Sequence, residues 1–391
     1  LSSQGVSARE IGRRLGIHYR TVANWTNTKN RTVSEEPSLT EGPISVAPGK
    51  RRPTIDDVAK KARVSISTIS NYLNNKGRMS RATSSRIESA IDELHFTPSF
   101  LLRAMRQNRT RIIGVVIFGL GSLDEKPGES LTPALLTGID TAAQAAAQDV
   151  LLYTDWGGPQ GSISPDRFLG GHIDGLVWVA PQMHEPVLEK VASAGLPVVA
   201  PLTRHVPDNV GYVNVDNIAA ILLLVRHLAQ LGRRRIAYVG PAHTSNYLDR
   251  RDGYRLALQA EGLAWSAEIG EKRNENPWLW DHYYDGIDRL VTGKNRPDAI
   301  ITADDGVAML GIEILQKRGI RVPQEIAVTG FNDIPDARDF CGGLTTIRQD
   351  FRQIGRLGVE RLVALIEGAP VEECRVTLSP ELVVRATTVP L

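Results

Sequence analysis

Residues 54–75 read TIDDVAKKARVSISTISNYLNN, and residues 6–27 spell nearly the same pattern as VSAREIGRRLGIHYRTVANWTN. At an offset of 47, Ile11 falls on Val58, Ile17 on Val64, Thr21 on Thr68, Val22 on Ile69, Asn24 on Asn71 and Asn27 on Asn74. In the second copy Thr54 is placed to cap a helix, with Asp56 and Asp57 near the positive end of its dipole. Ile55, Val58, Ala59 and Ala62 recur at helical spacing. Arg63-Val64 is expected to break that helix. Ser65 then caps a second one, whose inner face is Ile69, Tyr72 and Leu73. Two short helices, a tight turn and small residues at the crossing predict a helix-turn-helix. Periodicity alone would fit any helical hairpin. The outer face of the second helix separates the two readings: Ile66, Ser67, Ser70 and Asn71 lie among Lys60, Lys61, Arg63, Lys76 and Arg78. Short polar side chains between cations suit base edges between phosphates.

The charge distribution supports a polyanion partner. Net charge over the 391 residues is +2, yet residues 1–111 hold 20 Lys/Arg against 9 Asp/Glu, and the rest hold 26 against 35. A basic head on an acidic body directs nucleic acid to the head, where each cation near a phosphate releases counterions. At 42% hydrophobic residues, with 22 prolines and 35 glycines, the composition is that of a globular protein of two or three domains. No apolar run reaches 18 residues, so no membrane span is expected, and LSSQGVSARE lacks the apolar core of a secretory signal. A cytoplasmic protein is the expectation. Cys341 and Cys374 are too few for a disulfide framework and lack metal-type spacing, and the eight histidines are scattered singly. No metal or other cofactor is expected. A catalytic role is not expected either: there is no nucleophile elbow, phosphate loop or pair of carboxylates at a strand end.

From Arg111 onward, short apolar strands alternate with helical patterns: IIGVVIF, DVLLYTD, DGLVWVA, PVVAPL, RRIAYVG, DAIITAD and EIAVTGF. That order predicts a doubly wound α/β body. Ligands in such sheets bind beyond the strand C-termini. Candidate ligand residues are therefore Phe118, Asp155, Trp156, Arg204, Asn246 in a turn running to Arg250, Asp304 and Asn332.

The segment from Thr54 to Val116, TIDDVAKKARVSISTISNYLNN through FTPSFLLRAMRQNRTRIIGVV, resembles the head of LacI/GalR (lactose/galactose repressor) transcription regulators. The resemblance continues through YVNVDN, HLAQLGRRRIAYVG, RRDGYRLAL, RVPQEIAVTGFND, LTTIRQD and ELVVRATT. It implies an all-α DNA-binding head, a hinge helix, and a periplasmic-binding-protein-like body of two doubly wound α/β subdomains. It also implies a homodimeric repressor of operator DNA, controlled by a sugar or sugar derivative held between those subdomains. Expected boundaries are 53–97 for the head, 98–110 for the hinge and 111–391 for the body. The body divides into about 111–213 plus 348–377, and about 214–347 plus 378–391. By the same resemblance Thr54, Ser65, Thr68, Asn74 and Thr83 make mostly phosphate contacts, and Ile66, Ser67 and Asn71 read bases. Most relatives carry Arg where this chain has Asn71, and Gly where it has Arg63. Asn pairs with adenine where Arg prefers guanine, so an A·T pair is expected in the operator. Arg63, like Arg78, is placed to meet the DNA backbone.

In the hinge, Pro98 and Ser99 begin one or two helical turns, too few to be stable alone. Family members insert a leucine here into the minor groove. Met105 occupies that wedge position, and Leu102 stands where relatives carry alanine; the alternative is an ordinary linker helix. In the body the resemblance makes Arg250 the arginine that grips ligand hydroxyls, a fork suited to a diol or carboxylate. Asp304 and Asn332 exchange the amide and carboxylate that relatives usually carry. Trp278 and Trp280 are read as an aromatic platform or as core packing. Residues 1–30 are read as an accessory helix-turn-helix on a flexible 31–52 linker, or as a decayed module.

Overall fold

The computed structural model describes residues 53–73, 79–96, 109–117, 131–154, 164–183, 185–241, 244–264, 266–270 and 280–389. Among the expectations above, residues 1–52, Asn74, Arg78, Ser99, Leu102, Met105, Phe118, Asp155, Trp156 and Trp278 lie outside the described residues. The chain divides into two compact units, parted between Pro98 and Ser99.

In the first unit α1 (Ile55–Ala62) opens on a capping box: the Thr54 N–H donates to Asp57 Oδ2 at 2.7 Å, and Thr54 Oγ1 accepts from the Asp57 N–H at 3.4 Å. Arg63 ends the helix in the left-handed conformation, φ 55°, and its N–H returns to the last turn. A non-glycine residue adopts that geometry at a cost of about 1–2 kcal/mol. Helix α2 (Ile66–Leu73) follows directly, and α3 (Arg81–Leu94) is capped by Ser80, whose Oγ accepts from the Thr83 N–H at 3.2 Å. Val58, Ala59, Ala62, Ile69, Ile87, Ala90 and Phe96 form the shared core. Complete burial of Ile69 and Ile87 contributes roughly 1.5–3 kcal/mol each. The Tyr72 hydroxyl donates to Glu88 at 2.6 Å, tying α2 to α3.

The second unit holds two parallel sheets, whose central strands are short runs buried on both faces. Its first lobe comprises β1 (Ile112–Val116), α4 (Leu131–Ala145), β2 (Asp149–Tyr153), α5 (Asp166–Leu169), β3 (Gly175–Trp178), α6 (Pro186–Ser193), β4 (Val198–Pro201) and β5 (Gly211–Val215). The chain then enters the second lobe through α7 (Asn217–Gln230), β6 (Ile236–Val239), α8 (Ser245–Ala260), β7 (Ser266–Ile269) and α9 (Trp280–Thr292). That lobe continues with β8 (Ala299–Thr302), α10 (Asp305–Lys317), β9 (Ala327–Thr329), α11 (Pro335–Asp339) and β10 (Thr346–Arg348). Helix α12 (Phe351–Ile366) and β11 (Arg375–Leu378) return to the first lobe, and β12 (Glu381–Val383) to the second. Strand order is β11-β5-β4-β3-β1-β2 in the first sheet and β7-β6-β8-β9 in the second, with β10 and β12 paired antiparallel beside it.

All seven strand runs quoted from the sequence contain strands, and β5, β7, β10, β11 and β12 add to them. The three crossings between lobes differ from the expected ones. Positions 213/214, 347/348 and 377/378 fall inside β5, β10 and β11, which run to Val215, Arg348 and Leu378. A strand stays with its sheet until its ladder ends, and Arg348 is still paired with Glu381 of β12. Helix α12 docks on α4 by backbone contact. A Cβ at Gly138 would lie 2.0 Å from the Arg352 carbonyl oxygen, and one at Gly355 would lie 2.3 Å from that of Leu135. Only glycine fits either position.

Candidate DNA-reading surface and ligand site

On α2 the helical repeat turns Ile69 into the core and leaves Ile66, Ser67 and Asn71 exposed, with Ser70 half-buried between them. Ile66 is 48% exposed, an uncovered aliphatic group of the kind that meets a thymine methyl. Ser65 Oγ accepts from the Thr68 N–H at 3.1 Å and lies 2.7 Å from Ser67 Oγ and 2.8 Å from Thr68 Oγ1. Three hydroxyls therefore gather at the positive end of α2, where an anionic oxygen is favoured. Thr54 and Thr83 sit in the first turns of α1 and α3, as expected from the spacing, and Thr83 Oγ1 lies 2.9 Å from Ser80 Oγ. Lys60 is paired with Asp56 and Lys61 with Glu93, both at 2.5 Å, whereas the left-handed turn at Arg63 leaves that residue exposed.

In the body, the strand C-termini of the second lobe converge on Arg250. Residues 246–250 were expected as a turn; instead they form the start of α8, which Thr244 precedes in extended conformation. The helix carries Asn246, Asp249 and Arg250 inward on successive turns. Arg250 is 4% exposed, and its guanidinium lies 3.6 Å from the ring centre of Phe331 and 5.2 Å from that of Tyr247. Its Nε donates to Asn217 Oδ1 at 2.8 Å and its Nη1 to the Ala303 carbonyl at 2.6 Å. Asn217 Nδ2 in turn donates to Asn246 Oδ1 at 3.2 Å. One arginine thus joins the start of α7 to the segments that follow β8 and β9. Burial pushes its guanidinium below the ordinary value, while Tyr247, Tyr238, Asp304 and Asp305 pull the other way.

Asp304 caps α10 by accepting from the Val307 N–H at 2.9 Å with Oδ1, while its buried Oδ2 meets no partner among the described residues. Burial raises this carboxyl above the usual carboxylate range; the Val307 N–H, Arg250 and the Gly306 N–H pull it down. The Tyr238 hydroxyl is likewise buried without a partner among the described residues, and its desolvation drives the phenol upward. Each such group costs about 1–3 kcal/mol unless a donor or acceptor reaches it. Asn332, at φ 122°, accepts from Gln349 Nε2 at 2.7 Å. Its neighbour Asp333 holds Arg348 at 2.8 Å and Arg385 at 2.7 Å. Desolvation alone would raise the Asp333 carboxyl, but the two arginines outweigh it and hold it low.

Arg204 lies in the segment after β4, as expected, and is ion-paired there. Two of its three guanidinium nitrogens, Nε and Nη2, donate to Asp249 at 2.8 and 3.0 Å. The structure therefore brings Asn246, Arg250, Asp304 and Asn332 to the strand ends of the second lobe and gives Arg204 an ion pair. Sequence reading missed Asn217, Tyr238, Asp249, Phe331 and Asp333. The only signals for them were the VDN and GFND strings, and nothing local shows that a distant arginine will reach either. Among the described residues no group of three or more His, Cys, Asp or Glu is placed to hold a metal, and no helix is long and apolar enough to cross a membrane.

A three-helix head with an exposed second helix, and an α/β body of two lobes around a buried arginine, define a helix-turn-helix regulator with a periplasmic-binding-protein-like body. Comparison with known proteins gives the same division. Residues 54–99 match the model for bacterial regulatory proteins of the lacI family, and residues 225–388 match the periplasmic binding protein-like domain. The chain is thus similar to lacI-family transcription regulators in its head and to periplasmic binding proteins in its body. It is similar to the HTH-type transcriptional regulator CelR of Thermobifida fusca, 28% identical over 342 residues that span 86% of this chain and 98% of that protein. The structure of a CelR–cellobiose complex is similar at 26% identity and TM-score 0.61, covering 86% and 100% of the two chains. A lac repressor dimer bound to operator and the anti-inducer ONPF shares the fold at 24% identity and TM-score 0.70, covering 86% and 99%.

Proposed function

We propose that this chain is a homodimeric, operator-binding repressor, with a sugar or sugar derivative as the effector between the two lobes of its body. The observation that carries the effector half is Arg250. It is a buried guanidinium at the strand ends that donates through Nε to Asn217 and through Nη1 to Ala303, and Nη2 is its further donor nitrogen. A hydroxyl-bearing ligand offers acceptors to that nitrogen and donors to an acidic partner such as Asp304. The cellobiose bound by CelR is a ligand of that chemistry.

In the head, Ile66, Ser67 and Asn71 read bases, while Thr54, Ser65, Thr68, Asn74, Arg78 and Thr83 hold phosphates. Ser99, Leu102 and Met105 belong to the hinge, with Met105 as the groove wedge. Phe118, Asp155, Trp156 and Trp278 complete the effector site. Residues 1–30 act as a second DNA contact. Leu151 and Leu152, 38% and 43% exposed on the edge strand β2, are suited to a subunit contact. The chain acts in the cytoplasm, and its role is regulation rather than catalysis, as in the relatives named as transcriptional regulators.

Selection of binding sites from random duplex DNA, repeated with a library of sugars, tests the whole reading. A palindromic motif whose recovery changes with one sugar class is the expected result. Recovery of no motif would refute the DNA reading; a motif indifferent to every sugar would refute the effector reading.

A further inference from the structure

Between β4 and β5 the chain makes an unusual exit. Leu202 is left-handed at φ 63°, although it is a buried leucine at 7% exposure. Non-glycine residues are held in that conformation only when their surroundings enforce it. Here the result is that residues 203–205, which belong to the first lobe, face α8 of the second. Thr203 Oγ1 lies 2.7 Å from Ser245 Oγ, with both residues almost wholly buried. Arg204 then makes its two-pronged contact with Asp249, and His205 Nε2 reaches the same carboxylate at 3.3 Å. The Asp249 side chain is only 7% exposed, while those of Arg204 and His205 are 43% and 46% exposed.

The asymmetry of exposure defines what this contact does. Asp249 is committed to the interior of its helix, so its charge needs a partner there. The nitrogens within reach come from the other lobe. Loss of Arg204 leaves a buried carboxylate with a histidine as its remaining contact, which strongly disfavours that arrangement of the lobes. A fork-to-fork pair also fixes direction, which a lysine in the same place would not.

We propose that Arg204, His205 and Asp249 form a clamp between the lobes, and that Asp249 is a positioning residue for Arg250, its immediate neighbour on α8. The clamp holds the first turns of α8 against the segment after β4, so the distance between the lobes and the orientation of the arginine are set together. The consequence for Arg250 rests on its proposed effector role; the clamp itself does not.

Hydrogen–deuterium exchange on the full chain without any added ligand tests this. The segments read are 199–206 and 244–252, which belong to different lobes. Arg204→Ala and Asp249→Asn should each speed exchange in both segments by about tenfold or more, as expected when a local closing contact is lost. Arg204→Lys, which keeps charge but not the fork, should fall between. The reversed pair Arg204→Asp with Asp249→Arg should return both segments to within about threefold of the unmodified chain. Faster exchange confined to the substituted segment would overturn the clamp, as would a reversed pair that exchanges as fast as the single variants. Far-UV circular dichroism identifies a variant that fails to fold, and Arg204→Lys then carries the decision. No sugar enters the experiment, so failure to find an effector and failure of the clamp are separate results.

Discussion

Asp305 offers a test in which sign and size both follow from the structure. The residue is fully buried at the start of α10, where Oδ1 accepts from the Thr346 hydroxyl at 2.6 Å and Oδ2 from the Ile334 N–H at 2.9 Å. It thereby joins α10 to β10 and to the turn before α11. Burial pushes its carboxyl from an ordinary 3.8 up to about 7; the Thr346 and Ile334 hydrogen bonds oppose the rise, and the nearby Asp304 and Asp333 add to it. A folded-state value above the unfolded one means that the contribution to stability is whole below about pH 4 and is lost as the pH rises through about 7. The ionised form therefore costs the folded body about 4 kcal/mol at pH 8. Asp305→Asn removes the charge and keeps the shape. Its amide oxygen can accept from Ile334 while Nδ2 donates to Thr346, whose hydroxyl rotates to become the acceptor. Urea unfolding of both proteins, followed by far-UV circular dichroism from pH 4 to 8, measures the difference. The variant should gain on the parent by up to about 4 kcal/mol as the pH rises. A difference that does not change with pH would refute the assignment, because other titrating groups cancel between the two proteins.

Asn71→Arg should move the preferred operator base from adenine to guanine, with a discrimination change of about 1–3 kcal/mol in site selection; an unchanged motif refutes the base-reading role. Arg250→Ala should abolish the effect of sugar on operator binding. Because Asn217, Ala303 and Phe331 all lose a partner, it should also lower body stability by about 2–5 kcal/mol in chemical denaturation. Asp333→Asn should cost about 3 kcal/mol at neutral pH, since Arg348 and Arg385 lose a carboxylate that is 1% exposed. That carboxyl is held low, so its contribution is present above the ordinary Asp range and disappears as the pH falls through the folded-state value. Deletion of residues 1–50 should flatten the salt dependence of operator binding and shorten the hydroxyl-radical footprint at its outer edges, because it removes 7 Lys/Arg. Identical footprints and slopes would identify the first copy as a decayed module.

The helices of the head were legible because their signals are local. Thr54 with Asp57, Ser65 with Thr68 and Ser80 with Thr83 are contacts three residues apart. The third of these contacts opens α3, Arg81–Leu94. The seven strands read in advance lie in apolar runs bounded by turn residues, whereas β10 (TIR) and β12 (ELV) are short and each includes a charged residue. The crossings between lobes were placed early for a related reason: a strand's last residue is set by its neighbour's ladder.

The sequence by itself determined the order of modules, the basic head, the capped helices and the alternation of strand and helix, since each depends on residues a few positions apart. It also marked Arg250, Asp304 and Asn332 as residues near strand ends. Only the tertiary structure decided what those side chains do. Arg250 meets Asn217 and Ala303 across 33 and 53 positions of chain, and Arg204 meets Asp249 across 45. Whether an arginine faces a ligand or a carboxylate depends on which distant backbone the packing brings beside it. At Arg204 a left-handed leucine turns the guanidinium toward α8, and no local pattern in PVVAPLTRH encodes that turn.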